Sequence, residues 1–135
     1  MTESFVKNAW YAACWAGDLE IGIPLAKTIL GQPVVLWRDS EGVAVALEDR
    51  CCHRHLPLSL GSVMGDTLQC GYHGLEFDSA GLCVRVPGQS RVPPGAAIRS
   101  YPVRERHALI WIWCGDPARA DDEDIPDLFW LDHPD

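Results

Sequence analysis

The stretch EDRCCHRHLPLSLG at residues 48–61, followed by GDTLQCGYHGLEFD at residues 65–78, decides how the rest of the chain is read. It places Cys51 two positions before His53 and Cys70 three positions before His73, with sixteen residues between His53 and Cys70. Each pair fits the tip of one tight loop, and two facing loops then offer two thiolates and two imidazoles. Such a set suits tetrahedral Zn²⁺. It equally suits two irons bridged by two sulfides. Zinc fingers usually keep their cysteines together and their histidines together, whereas here they alternate, which favours the iron–sulfur reading. Two neutral imidazoles in place of two thiolates also remove two negative charges, so such a core accepts an electron more readily than an all-cysteine one.

The pattern extends to NAWYAA at residues 8–13 and ALIWIWCGDP at residues 108–117. Taken with the two loops, these segments resemble the Rieske oxygenases, and within them the oxygenase components of vanillate O-demethylase and dicamba monooxygenase, over almost the whole chain. The resemblance implies one [2Fe–2S] Rieske cluster with Cys51 and Cys70 on one iron and His53 and His73 on the other. It also implies an all-β body, an antiparallel barrel or sandwich, with the two loops forming a small cluster-binding subdomain at one end. One position departs from the family: residue 52, commonly proline, is cysteine. Cys52 with His55 repeats the spacing of Cys70 with His73, so spacing alone leaves an alternative first pair open. The resemblance favours Cys51 with His53, and Cys52 is then a small side chain tolerated in the loop.

At 135 residues the chain reads as one domain, able to bury about two thirds of its unfolded surface without disulfides. Of its six cysteines, Cys14, Cys83 and Cys114 sit in apolar runs and read as buried small residues. The apolar run from Ala9 to Ala16 is too short to span a membrane, and a cytoplasmic, reducing location is the expectation. The net charge of −8 is unevenly spread: residues 116–135 carry eight acids and one arginine, leaving the rest of the chain nearly neutral. Asp121, Asp122, Glu123, Asp124 and Asp127 read as a solvated face or linker, so we divide the chain into a Rieske domain at 1–120, with cluster loops at about 49–78, and an acidic exit segment at 121–135. No basic stripe with interleaved aromatics points to nucleic acid.

Short β-rich runs at Lys27 to Leu30, Val34 to Arg38 and Val43 to Leu47, separated by Gly31-Gln-Pro33 and Asp39-Ser-Glu-Gly42, predict an antiparallel meander. Further strands are expected at Thr67 to Gln69, Leu75 to Asp78, Cys83 to Val86, Arg99 to Arg106 and Ala108 to Trp113, with a turn around Trp15 to Leu19 and a loop from Pro87 to Pro94. Leu109 to Trp113 lacks polar alternation, so both faces of that strand are expected to be covered, with its tryptophans as core anchors.

Respiratory-chain Rieske proteins link the two loops with a disulfide and aim hydroxyl donors at the cluster. Here Leu56 and Tyr72 stand at the disulfide positions, and Leu75 and Phe77 at the hydroxyl positions. Without those donors the potential is expected near the low end of the Rieske range, roughly −150 mV. It should fall with pH once an oxidised-state histidine loses its proton. Arg50 and Arg54 flank the first loop; they suit steering of an acidic electron donor, and Arg50 equally suits a local pair with Glu48 or Asp49. His55, His107 and His133 read as ordinary surface or hydrogen-bonded histidines.

The expected function is one-electron transfer, from a reductase or ferredoxin to a mononuclear non-heme iron that the resemblance implies outside this chain. We assign no catalytic residue and expect no oxygenation by this chain alone. A free-standing Rieske ferredoxin is the alternative, and a zinc-stabilised binding module the non-redox one. The resemblance further implies a trimeric full-length enzyme in which the His73 edge faces a neighbouring subunit's iron, and a methoxylated or chlorinated aromatic acid as substrate.

Overall fold

The computed structural model describes residues 8–52, 56–71, 74–88, 91–92, 95–126 and 128. Eleven strands lie within them: β1 (Ala9–Trp15), β2 (Leu25–Ile29), β3 (Gln32–Arg38), β4 (Ala44–Glu48), β5 (Ser62–Val63), β6 (Leu68–Gln69), β7 (Glu76–Phe77), β8 (Cys83–Arg85), β9 (Ser100–Tyr101), β10 (Val103–Arg106) and β11 (Leu109–Cys114). They form three antiparallel sheets in the orders β1-β11-β10, β2-β3-β4-β9 and β5-β6-β7-β8. The all-β antiparallel architecture expected from the sequence is therefore present.

Alternation along β3 explains how the sheets stack. Val34 and Leu36 pack with Ile110, Ile112 and Tyr101, while Val35 and Trp37 pack with Leu68, Phe77 and the cysteines of the loops. All four side chains are fully buried, so the unbroken apolar run is one strand with a core on each face. The β2-β3-β4-β9 sheet is thus the middle layer, between the β1-β11-β10 sheet and the small loop-bearing sheet. β11 repeats the device: Ile110 and Ile112 face the middle layer, and Trp111 and Trp113 face a second small core with Trp10 and Ile125. Trp10 and Trp113 meet edge to face with ring centroids 5.4 Å apart.

Three features differ from the sequence reading. The apolar run at the start is strand β1, which pairs with β11 from Ala9↔Cys114 to Trp15↔Leu109 with an irregularity between Ala12 and Cys14. The single strand expected from Arg99 to Arg106 is broken at Pro102, which has no N–H to donate. β9 pairs with β4, β10 pairs with β11, and the Pro102 carbonyl still accepts from the Trp113 amide at 2.9 Å. The acids Asp121, Asp122, Glu123 and Asp124 are exposed, as a solvated face requires, yet the segment is not a free linker and is docked as far as Ile125. Trp10 Nε1 donates to the Asp121 carbonyl at 2.8 Å, Arg104 Nε to Asp122 Oδ1 at 2.9 Å, and Arg106 Nη1 to the Asp122 carbonyl at 3.1 Å. Two arginines spaced along one face of β10 supply the counter-charge that a count of acids along the chain does not reveal.

Candidate metal centre

Each loop begins where a strand of the cluster-side core ends. β4 delivers Glu48, Asp49 and Arg50 to Cys51; β6 delivers Gln69 to Cys70. The two loops are closed in the same way: the Cys51 amide donates to the Leu56 carbonyl at 2.8 Å, and the Cys70 amide to the Leu75 carbonyl at 2.7 Å. Each cysteine is thereby tied to a leucine five residues on, with the expected histidine of its pair inside the tied span. A glycine at the far side of the second loop, Gly74, has φ of +74°, a conformation that glycine adopts without a Cβ penalty, and its amide donates to the Cys70 carbonyl at 3.1 Å.

The loops are held together by close backbone approach. A Cβ on Gly61 would lie 1.9 Å from the Gln69 carbonyl oxygen, and one on Gly71 would lie 3.1 Å from that of Leu60. Gly61 has an ordinary extended backbone with φ of −92°, so its need for glycine is the space. The thiols that result are 1% and 3% exposed for Cys51 and Cys70, and both belong to one core cluster with Leu58, Leu68, Leu75 and Phe77. A shallow apolar depression of about 220 Å³ lies over Cys70 and Gly71, rimmed by Leu56, Pro57 and Leu60.

Of the four expected ligands, Cys51 and Cys70 lie among the described residues, both in one buried cluster. His53 and His73 lie outside the described residues, as do Arg54, His55, Tyr72 and His133. Among the described residues no group of three potential metal-binding side chains converges. Cys52 is half-buried against the same core, and burial, helped by the nearby charge of Cys70, pushes its thiol pKa up. Burial likewise raises the thiols of Cys14, Cys83 and Cys114, in keeping with inert packing roles. His107 is buried at the β10–β11 turn rather than on the surface.

Two carboxylates at the loop bases escaped the sequence reading. Asp49 accepts from the Ser59 amide at 2.7 Å and from its hydroxyl at 2.6 Å, pinning the 3₁₀ turn Leu58–Leu60 to the end of β4. Glu76 accepts from the Thr67 hydroxyl at 2.7 Å and faces Arg85 Nη1 at 3.5 Å. No spacing rule marks a carboxylate whose partner lies ten residues on. Arg50, with its Nη1 at 3.9 Å from Glu48 Oε2, makes only a long local pair, while Asp49 turns inward. The Arg99 amide donates to Glu48 Oε1 at 3.2 Å, while its guanidinium lies over Tyr101 at 4.5 Å from the ring centre.

Residues 9–102 match the family of the Rieske [2Fe-2S] domain. The chain is 51% identical over 130 residues to the toluene-4-sulfonate monooxygenase system iron-sulfur subunit TsaM1 of Comamonas testosteroni, covering 96% of this chain and 38% of that protein. It is 52% identical over 126 residues to the dicamba O-demethylase oxygenase component of Stenotrophomonas maltophilia, covering 93% and 37%. A crystal structure of dicamba monooxygenase superposes with a TM-score of 0.90 at 49% identity, over 97% of this chain and 42% of that one. The chain therefore spans less than half the length of the proteins it matches.

Proposed function

Because the chain belongs to the Rieske [2Fe-2S] domain family, we propose that Cys51 and Cys70 hold one iron of its cluster and His53 and His73 the other. The observation that carries the ligand assignment is the matched pair of loops: two buried thiols in one core, each closed by an amide-to-leucine bond across the span containing its histidine. Thiolates of that kind fit an iron–sulfur core in both chemistry and count. Cys52, half-buried against the same core, is read as a neighbour of the ligands rather than as one of them. When bound, the cluster supplies a one-electron couple. The chain's own contribution is to exclude water with Leu58, Leu75 and Phe77 and to offer only apolar groups where other Rieske proteins place hydroxyl donors.

The domain then carries single electrons from a reductase or ferredoxin to a mononuclear non-heme iron beyond this chain, as the Rieske part, residues 1–120, of an oxygenase. The exit segment from residue 121 leads toward the catalytic domain, and its first residues, Asp121 and Asp122, are held by Trp10, Arg104 and Arg106. Arg50 and Arg54, which flank the first loop in the sequence, suit the docking of an acidic donor. The dicamba relative is an oxygenase component and the Comamonas relative the iron-sulfur subunit of a monooxygenase system, which favours this reading over a free-standing Rieske ferredoxin. A trimer in which His73 faces a neighbouring subunit, a cytoplasmic location, and an aromatic substrate of the kind those relatives' names give, toluene-4-sulfonate or dicamba, complete the proposal. The test is the purified chain itself. A red-brown protein whose reduced form gives an electron paramagnetic resonance signal supports it, and a colourless, zinc-loaded protein refutes it.

A further inference from the structure

Asp49 and Glu76 are 8% and 9% exposed, the buried carboxylates among the described residues, and one stands at the base of each loop. Asp49 lies two residues before Cys51, and Glu76 three after His73. Both are held by hydroxyls, Asp49 by Ser59 and Glu76 by Thr67, and as staples alone they are costly, because taking a carboxylate out of water is penalised by several kcal/mol. A glutamine at position 76 would accept the same hydroxyl hydrogen bond without that penalty, and an asparagine at position 49 would keep one of the two Ser59 bonds as acceptor while its amide donates to the hydroxyl oxygen. What the charge adds is repulsion toward a further negative charge arriving nearby, felt strongly where water is excluded.

We propose that Asp49 and Glu76 form a fixed anionic frame that lowers the one-electron reduction potential of the cluster, an inference that rests on the ligand reading above. The two are unequal. Glu76 is partly neutralised by Arg85, whose side chain is mostly exposed, whereas the one basic neighbour of Asp49 along the chain, Arg50, turns toward Glu48. Asp49 therefore carries the larger share. Neither touches a reacting atom; they are positioning and tuning residues, and their charge separates the two roles.

The experiment is a redox titration of the cluster-loaded protein, read by electron paramagnetic resonance, on Asp49→Asn, Glu76→Gln, Ser59→Ala and Arg85→Gln. Removing the Asp49 charge is expected to raise the equilibrium constant for one-electron reduction about tenfold, which corresponds to about 59 mV. Glu76→Gln should raise it by a smaller factor, and the double variant by roughly the product. Ser59→Ala removes the hydroxyl half of the staple but keeps the carboxylate and its amide bond, so it should lower thermal stability and leave the potential within about twofold in equilibrium constant. Arg85→Gln lies on the surface and unmasks Glu76, so it should shift the potential downward, a direction that loosening of a loop does not predict. Should Asp49→Asn fail to keep iron, the opposed shifts of Glu76→Gln and Arg85→Gln carry the test. Potentials that move no more in the charge variants than in Ser59→Ala overturn the inference alone. A wild-type protein without a cluster overturns the ligand reading and the inference together.

Discussion

Gly61→Ala isolates the apposition of the two loops. The added Cβ would lie 1.9 Å from the Gln69 carbonyl oxygen, a backbone atom, and no side-chain rotation relieves it. One loop must withdraw by about 1 Å before the contact becomes tolerable. Gln69 resists, because it belongs to β6, which is paired on both sides by β5 and β7. Gly61 is equally constrained by its amide, which donates to the Leu58 carbonyl at 2.9 Å. Overpacking of this kind costs about 1–3 kcal/mol, and with rigid backbone on both sides the upper end applies. For a domain of this size about 3 kcal/mol lowers the melting temperature by roughly 10 °C. The same displacement separates the Cys51 and Cys70 loops, so iron and acid-labile sulfide per chain should fall together. The assay pairs thermal unfolding with iron and sulfide analysis, using Gly17→Ala as control, because a Cβ there meets nothing within 4 Å. A Gly61→Ala protein that melts within about 2 °C of wild type and keeps its full cluster would refute the reasoning.

Other predictions follow from the body of the domain. Arg38, nearly buried, donates to the carbonyls of Ala16, Leu19 and Gly42 and to Glu105 Oε1 over distances of 2.6–2.9 Å, tying two turns to β10. Arg38→Met should cost about 3–4 kcal/mol in urea unfolding, and Glu105→Gln under about 1 kcal/mol, since that partner is exposed; equal losses would show that the ion pair dominates. His107 and Ala108 form a two-residue hairpin turn with φ of +57° and +61°, so Ala108→Gly should stabilise by about 1 kcal/mol in the same assay, and a loss would contradict that turn geometry. Cys14 and Cys114 lie in the core away from the loops with thiol pKa values raised by burial. The folded protein therefore holds their protons more tightly than the unfolded chain. Stability from this source is fully present below the unfolded thiol pKa near 9 and falls as pH rises toward the folded values. Denaturation at pH 8 and pH 10 should show a smaller alkaline loss in the Cys14→Ala, Cys114→Ala double variant than in wild type; an unchanged loss would assign it elsewhere.

Much of the fold is legible in the sequence because burial on two faces leaves unbroken apolar runs. Val34–Trp37 and Leu109–Trp113 read directly as strands covered on both sides, and the structure divides each between two cores. β1 was less legible, since its partner β11 lies about a hundred residues on and nothing local in Ala9–Trp15 names it. Pro102 sits in plain view, yet its consequence, a strand that changes sheets, depends on which neighbours wait on either side. The cysteines of the site announce themselves by spacing. Asp49 and Glu76 do not, because their burial and their hydroxyl partners exist only once the loops have folded. The docking of the acidic segment was hidden for the same reason: Arg104 and Arg106 lie among ordinary charged residues until β10 presents them to Asp122.

Iron and sulfide content in Cys51→Ala and Cys52→Ala decides whether the alternating cysteine–histidine pairs hold a [2Fe–2S] cluster through Cys51 rather than Cys52. Cys52→Ala should keep two irons and two sulfides per chain with an unaltered resonance spectrum, and Cys51→Ala should lose them. Retention in Cys51→Ala with loss in Cys52→Ala would contradict the Cys51 assignment.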